Sequence, residues 1–90
     1  MESKQVLEGF AIVIADRGYV YVGNVACDDR FTIVTDAKNI RRWGTTKGLG
    51  ELALEGPKSE TVLDNVGTVR IPARAIISIL DTESRLWSGK

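Results

Sequence analysis

The chain has 90 residues, 43% hydrophobic and 27% charged, the composition of one small globular domain spanning residues 1–90. Twelve basic and twelve acidic residues cancel, so no global field draws the protein to nucleic acid or to a membrane surface. With no histidine and a single cysteine, Cys27, the chain lacks the means for Ser–His or Cys–His catalysis, for the usual histidine-bearing metal sites and for an intrachain disulfide.

Residues 1–8 read as a loose lead-in, with Val6 and Leu7 able to extend the first strand. The N-terminus is polar and has no leader-like apolar core, and no apolar run nears the ~20 residues of a membrane span. A cytoplasmic domain is expected. Residues 10–15 set Phe10, Ile12 and Ile14 against Ala11, Val13 and Ala15, a strand apolar on both faces. Asp16-Arg17-Gly18 is a turn signal, and residues 19–26 form the second strand of a hairpin, with Gly23 at a bulge or bend. After a polar turn at residues 27–30, residues 31–36 make a third strand, which continues past a bend to Trp43.

From Thr46 the period changes. Leu49, Leu52 and Ala53 lie at i, i+3 and i+4, the stripe of a short helix capped by Thr45 or Thr46 and stopped by Gly56-Pro57. Residues 61–63 are expected to form a short strand, Asp64-Asn65-Val66-Gly67 a turn, and residues 68–80 two strands about Pro72 with Val69, Ile71, Ala73, Ala75, Ile77 and Ile79 on one face. Residues 82–90 form a tail. The fold expected is mainly β: a small, strongly bent antiparallel barrel of about five strands with one short helix, resembling SH3-like and Sm-like barrels.

Four of the nine glycines and one of the two tryptophans fall in residues 39–57. Trp43 beside Arg41, Arg42 and Lys47 can stack a base while the cations hold phosphate. Thr45, Thr46 and Gly48 belong to the loop whose backbone amides add an anion site. The competing reading packs Trp43 between helix and barrel and leaves the arginines solvated. No Gly-Lys-Ser/Thr follows at the Walker spacing, so phosphate hydrolysis is not suggested.

Asp28, Asp29 and Asp36 lack calcium-loop spacing and read as a solvated turn and strand end, and Cys27 as an inert, part-buried thiol. No catalytic residues, metal ligands or cofactor site can be assembled, and a non-enzymatic role is expected. Arg70 and Arg74 flank Pro72 on the face away from the core and line either a subunit interface, a ligand pocket or plain solvent. Leu86 and Trp87 either staple the protomer's own core or anchor a neighbouring subunit.

The pattern Ile14-Ala15-Asp16-Arg17-Gly18-Tyr19-Val20-Tyr21-Val22-Gly23, then Asp36-Ala37-Lys38-Asn39-Ile40-Arg41-Arg42-Trp43, then Leu49-Gly50-Glu51-Leu52-Ala53-Leu54-Glu55-Gly56, and last Ala75-Ile76-Ile77-Ser78-Ile79 resembles a family of small proteins encoded by bacteriophages and prophages. The likeness covers roughly residues 10–80 and departs at Arg85-Leu86-Trp87. It implies a setting in the host bacterial cytoplasm and a role in binding. The leading expectation is a homo-oligomer that sequesters a nucleotide-type ligand such as a cyclic nucleotide immune signal. The alternatives are a module that binds a host protein or serves phage structure, and Sm-like binding of RNA, which the zero net charge disfavours.

Overall fold

The structure, a computed structural model, describes residues 7–88. Five strands, β1 (Leu7–Ala15), β2 (Val20–Cys27), β3 (Phe31–Arg42), β4 (Val62–Pro72) and β5 (Ile76–Asp81), form one antiparallel sheet in the order β4-β3-β2-β1-β5. One short helix, α1 (Leu49–Glu55), lies between β3 and β4. The expected count of strands and the single helix hold. The sheet is barrel-like but not closed, because β4 and β5 are its two edges.

Both faces of the sheet are buried, as the doubly apolar β1 requires. On one face Ala11, Val13 and Ala15 of β1 meet Val25, Val34, Ala37 and Ile71. Ile71 of one edge strand and Ile79 of the other share this cluster, which requires the sheet to curl. The small side chains of β1 suit the crowded inside of that curl. Gly23 serves the same end: a Cβ there would lie 2.8 Å from Val34 Cγ1 and 2.9 Å from the Thr35 carbonyl oxygen. The β2–β3 register shifts at this point, between Val22 and Asn24.

The other face carries the larger residues Ile12, Val20, Val22 and Ile40, and is covered by Leu52 and Ala53 of α1 and by Trp87. A seven-residue helix does not hold by itself in water. Burying Leu52 completely contributes about 1.5–3 kcal/mol, which ties α1 to the sheet.

Four sequence expectations are revised. Residues 1–6 and 89–90 lie outside the described residues, but the expected lead-in ends early, since Leu7 and Glu8 already belong to β1. Residues 62–72 make one strand rather than two around a turn. The twelve-residue β3 offers ladder partners along nearly all of β4, and Gly67, at φ 79° opposite Ala37, absorbs the irregularity. Ile77 is 66% exposed instead of lying with Ile79, because β1 pairs Ala15 with Ile76 and Ile14 with Ser78, so Ile77 is the extra residue of a bulge in β5 and Ile76 packs inward in its place. Finally, the segment after β5 is structured: Ser84–Leu86 form a 3-10 turn that delivers Trp87 to the core at 4% exposure. Among the described residues, no helix is long and apolar enough to cross a membrane.

Candidate functional site

The loop from Trp43 to Gly48 is built by the ends of β3 and β4. Arg42 pairs with Val62 in the ladder, and just beyond it the buried Thr61 donates its hydroxyl to the Trp43 carbonyl at 2.6 Å and accepts the Lys58 N–H at 2.8 Å. Gly44, at φ 69°, lies so close to the Glu60–Thr61 peptide that a Cβ would be 2.5 Å from Glu60 C and Thr61 N. These contacts hold the Trp43 backbone while the side chain projects beyond the sheet. The indole is 42% exposed, and its Cζ3 faces the backbone at Gly48. Trp43 is therefore not a core residue between helix and sheet.

The cations around it differ in how far they are committed. Arg41 makes a fork onto Asp64, Nε to Oδ2 at 2.8 Å and Nη2 to Oδ1 at 3.3 Å. The hydrogen bonds to Asp64, and then its charge, hold the guanidinium more firmly protonated than usual. Arg42 reaches Glu60 only at 3.7 Å, with both side chains exposed. Such a pair contributes little and is readily exchanged for another anion. Lys47 and Arg42 thus flank Trp43 in sequence as the available cations, whereas Arg41 serves the β3–β4 pair.

The loop amides are also partly engaged. The helix starts after Gly48, at φ 81°, and not after a threonine cap. Thr45 instead donates its hydroxyl to the Gly48 carbonyl at 2.8 Å. Glu51, in the first turn of α1, accepts the Lys47 N–H at 2.9 Å and the Thr46 hydroxyl at 3.2 Å. A carboxylate of the chain itself thereby occupies part of the expected anion cradle, and the acidic side chain suits the positive end of the helix. Reading Glu51 as the third helical residue after a cap finds this partner from sequence. Thr61 leaves no such signal, since its role depends on β4 returning beside β3.

At the far end of α1, Lys58 Nζ bonds Glu55 Oε1 at 2.7 Å and lies 3.8 Å from Glu51 Oε2. The Lys58 hydrogen bond, more than its charge, holds Glu55 below its ordinary value of 4.5, and the same bond raises Lys58 above 10.5. The Glu55 contribution to stability is present above pH 4.5 and is lost as the pH falls through the depressed folded value. The Lys58 contribution is present below pH 10.5 and is lost as the pH rises through the elevated one. Glu55→Gln is expected to flatten the acid limb slightly, leaving the midpoint at pH 7 little changed because the pair is exposed. Thermal melts of both proteins between pH 3 and 7 measure this; parallel curves overturn it.

Most of the remaining candidates serve structure. Asp28 Oδ1 accepts the N–H groups of Arg30 and Phe31, at 2.8 and 2.9 Å, and folds the β2–β3 turn. Asp36, at φ 52°, sits in the bulge of β3. Cys27 Sγ is 3.4 Å from the Thr32 hydroxyl. Among the described residues, no three His, Cys, Asp or Glu side chains converge as a metal-binding set. Trp87 Nε1 donates to Thr82 Oγ1 at 3.0 Å, and that hydroxyl donates on to the Ala53 carbonyl of α1. Trp87 therefore staples the protomer's own core, with half-buried Leu86 packed alongside. Arg70 and Arg74 lie apart from the Trp43 loop, near Phe31.

No protein-family model, curated protein or solved structure matches the chain.

Proposed function

We propose that this chain is a non-enzymatic binding protein that takes a small anionic ligand of nucleotide type at Trp43. The observation that carries this reading is the exposed indole on a backbone fixed by Thr61 and Gly44, with Arg42 and Lys47 as its sequence neighbours. A base stacks on the indole, and the two cations meet the phosphates. Stacking of this kind is worth about 1–3 kcal/mol per base. Arg42 exchanges its loose contact with Glu60 for a phosphate oxygen, while Arg41 stays on Asp64 and stiffens the strand beneath.

The open sheet supports self-association, because β4 and β5 each leave one side without a strand partner among the described residues. Exposed strand edges are templates for pairing with another chain. In the phage setting implied by the resemblance, such an oligomer in the host cytoplasm lowers the free concentration of a cyclic nucleotide immune signal by holding it. Ile77, exposed on edge strand β5, favours a second reading, a module that binds a host protein through that edge.

The decisive experiment is fluorescence titration with a panel of cyclic and linear nucleotides, alongside native mass spectrometry. Ligand binding is expected to quench Trp43. Trp43→Ala is expected to weaken affinity by about tenfold or more, and Arg42→Ala by several-fold. Unchanged affinity in both folded variants sinks the assignment, and a protein that binds no nucleotide moves the reading to a protein partner.

A further inference from the structure

A second cationic site lies at the opposite end of β3, and its arginines are less committed than those beside Trp43. The Phe31 ring has the Arg30 guanidinium 6.0 Å from its centroid and that of Arg70 5.9 Å away. Arg30, Phe31 and Arg74 also line an open cleft of about 500 Å³, together with Asp29, Pro72 and Ala73. This falls within the size range of small-ligand sites. Among the described residues, no ion pair or side-chain hydrogen bond engages Arg30, Arg70 or Arg74. The cleft and the ring beside it thus carry three arginines, and the lining includes one carboxylate, that of Asp29.

The arrangement is built by tertiary contacts. Asp28 folds the turn that presents Arg30 and Phe31. The ladder sets Phe31 opposite Pro72 and Ile33 opposite Arg70, so that Arg70 lies diagonal to the ring. The Ala73 N–H then donates to the Arg30 carbonyl at 2.9 Å, which fastens the 3-10 turn bearing Arg74 to the β2–β3 turn. The backbone is therefore set before any ligand arrives, and it brings three like charges to one end of β3. A guanidinium presents a planar fork that matches phosphate oxygens two at a time.

We infer that the cleft lined by Arg30, Phe31 and Arg74, with Arg70 beside the Phe31 ring, is a second binding site, separate from Trp43, for a phosphate chain of two or more units. The chain is bound either as free pyrophosphate or as the diphosphate of a nucleotide. A chain of two phosphates offers guanidinium forks more acceptor oxygens and more negative charge than a single orthophosphate.

Calorimetric titration of the full-length protein with pyrophosphate, ADP, orthophosphate and adenosine at about 0.1 M salt tests this. Pyrophosphate and ADP are expected to bind, orthophosphate at least tenfold more weakly, and adenosine not at all. Arg70→Gln and Arg74→Gln are each expected to weaken pyrophosphate about tenfold. Arg74→Lys, which keeps the charge but loses the fork, should fall between. Both positions are exposed, and circular dichroism verifies that each variant folds. Trp43→Ala should leave pyrophosphate binding unchanged, so failure at one site is distinguished from failure at the other. Equal affinities for pyrophosphate and ADP assign the site to the phosphate chain alone, while tighter ADP binding that still depends on Arg70 and Arg74 extends it to a nucleotide; both support the site. No pyrophosphate binding at millimolar concentration, or binding indifferent to the Arg70→Gln/Arg74→Gln double variant, overturns it.

Discussion

Trp87→Ala is expected to cost about 3–5 kcal/mol, the range for deleting a buried aromatic from a core. Small domains hold only about 5–15 kcal/mol in total, and each kilocalorie shifts the midpoint of a domain this size by about 4–8 °C. A thermal midpoint lowered by about 12 °C or more follows. The size of the effect comes from what the indole touches. Its ring lies 6.4 Å from that of Phe10, and its Nε1 enters a relay through Thr82 to the Ala53 carbonyl. Removing it opens a cavity over the outer face of the sheet and loosens α1. Trp87→Phe keeps most of the fill and forfeits the N–H, so a loss of about 1 kcal/mol is expected there. Denaturant melts of the three proteins measure both, and a Trp87→Ala loss under 1 kcal/mol would falsify the assignment of Trp87 to the core.

Gly44→Ala is expected to be the most damaging single methyl near the Trp43 site. The left-handed backbone at φ 69° costs a non-glycine residue about 1–2 kcal/mol. The new Cβ also meets the Glu60–Thr61 peptide at 2.5 Å, and because the obstacle is backbone, no rotamer change relieves it. Either the loop lifts away, breaking the bond from Thr61 to the Trp43 carbonyl, or β4 shifts. A loss of at least about 2 kcal/mol and a changed Trp43 emission are expected. Gly50→Ala is the control: no atom lies within 4 Å of its Cβ position, its φ is not in the left-handed range, and it sits inside α1. Helix propensity then predicts a gain of up to about 1 kcal/mol. Equal effects of the two substitutions would show that the close approach at Gly44 does not hold the loop.

Much of the fold is legible along the chain because it rests on local periodicity. The alternation of residues 10–15, apolar on both faces, anticipates a strand covered on both sides, and it is: Ala11, Val13 and Ala15 face the curl, while Ile12 faces α1 and Trp87. The i, i+3, i+4 stripe of Leu49, Leu52 and Ala53 anticipates which side of the helix docks. Where the reading failed, the deciding partner was remote. Asp64-Asn65-Val66-Gly67 has turn composition, yet β3 supplies ladder partners through it and the segment stays a strand. The run from Val69 to Ile79 looks continuous in alternation, yet a bulge against β1 leaves Ile77 without a ladder partner and turns it outward.

The candidate site divides in the same way. That Trp43 stands among basic residues and glycines is a property of consecutive positions, visible without coordinates. Whether those charges are available is not, because Asp64 of β4 and Glu60 of the turn before it arrive some twenty residues later and bond Arg41 firmly but Arg42 loosely. The cluster of Arg30, Phe31, Arg70 and Arg74 has no linear signature at all, its members lying on two segments some forty residues apart. Composition and spacing by themselves determined a mainly β domain with a short docked helix and one aromatic–basic loop, since these depend on what neighbours along the chain prefer. Tertiary structure alone decided that Trp87 is core and Trp43 exposed, and which arginines keep their charge unpaired. Burial and ion pairing are properties of the neighbours in space, and β-sheet pairing draws those from distant parts of the sequence.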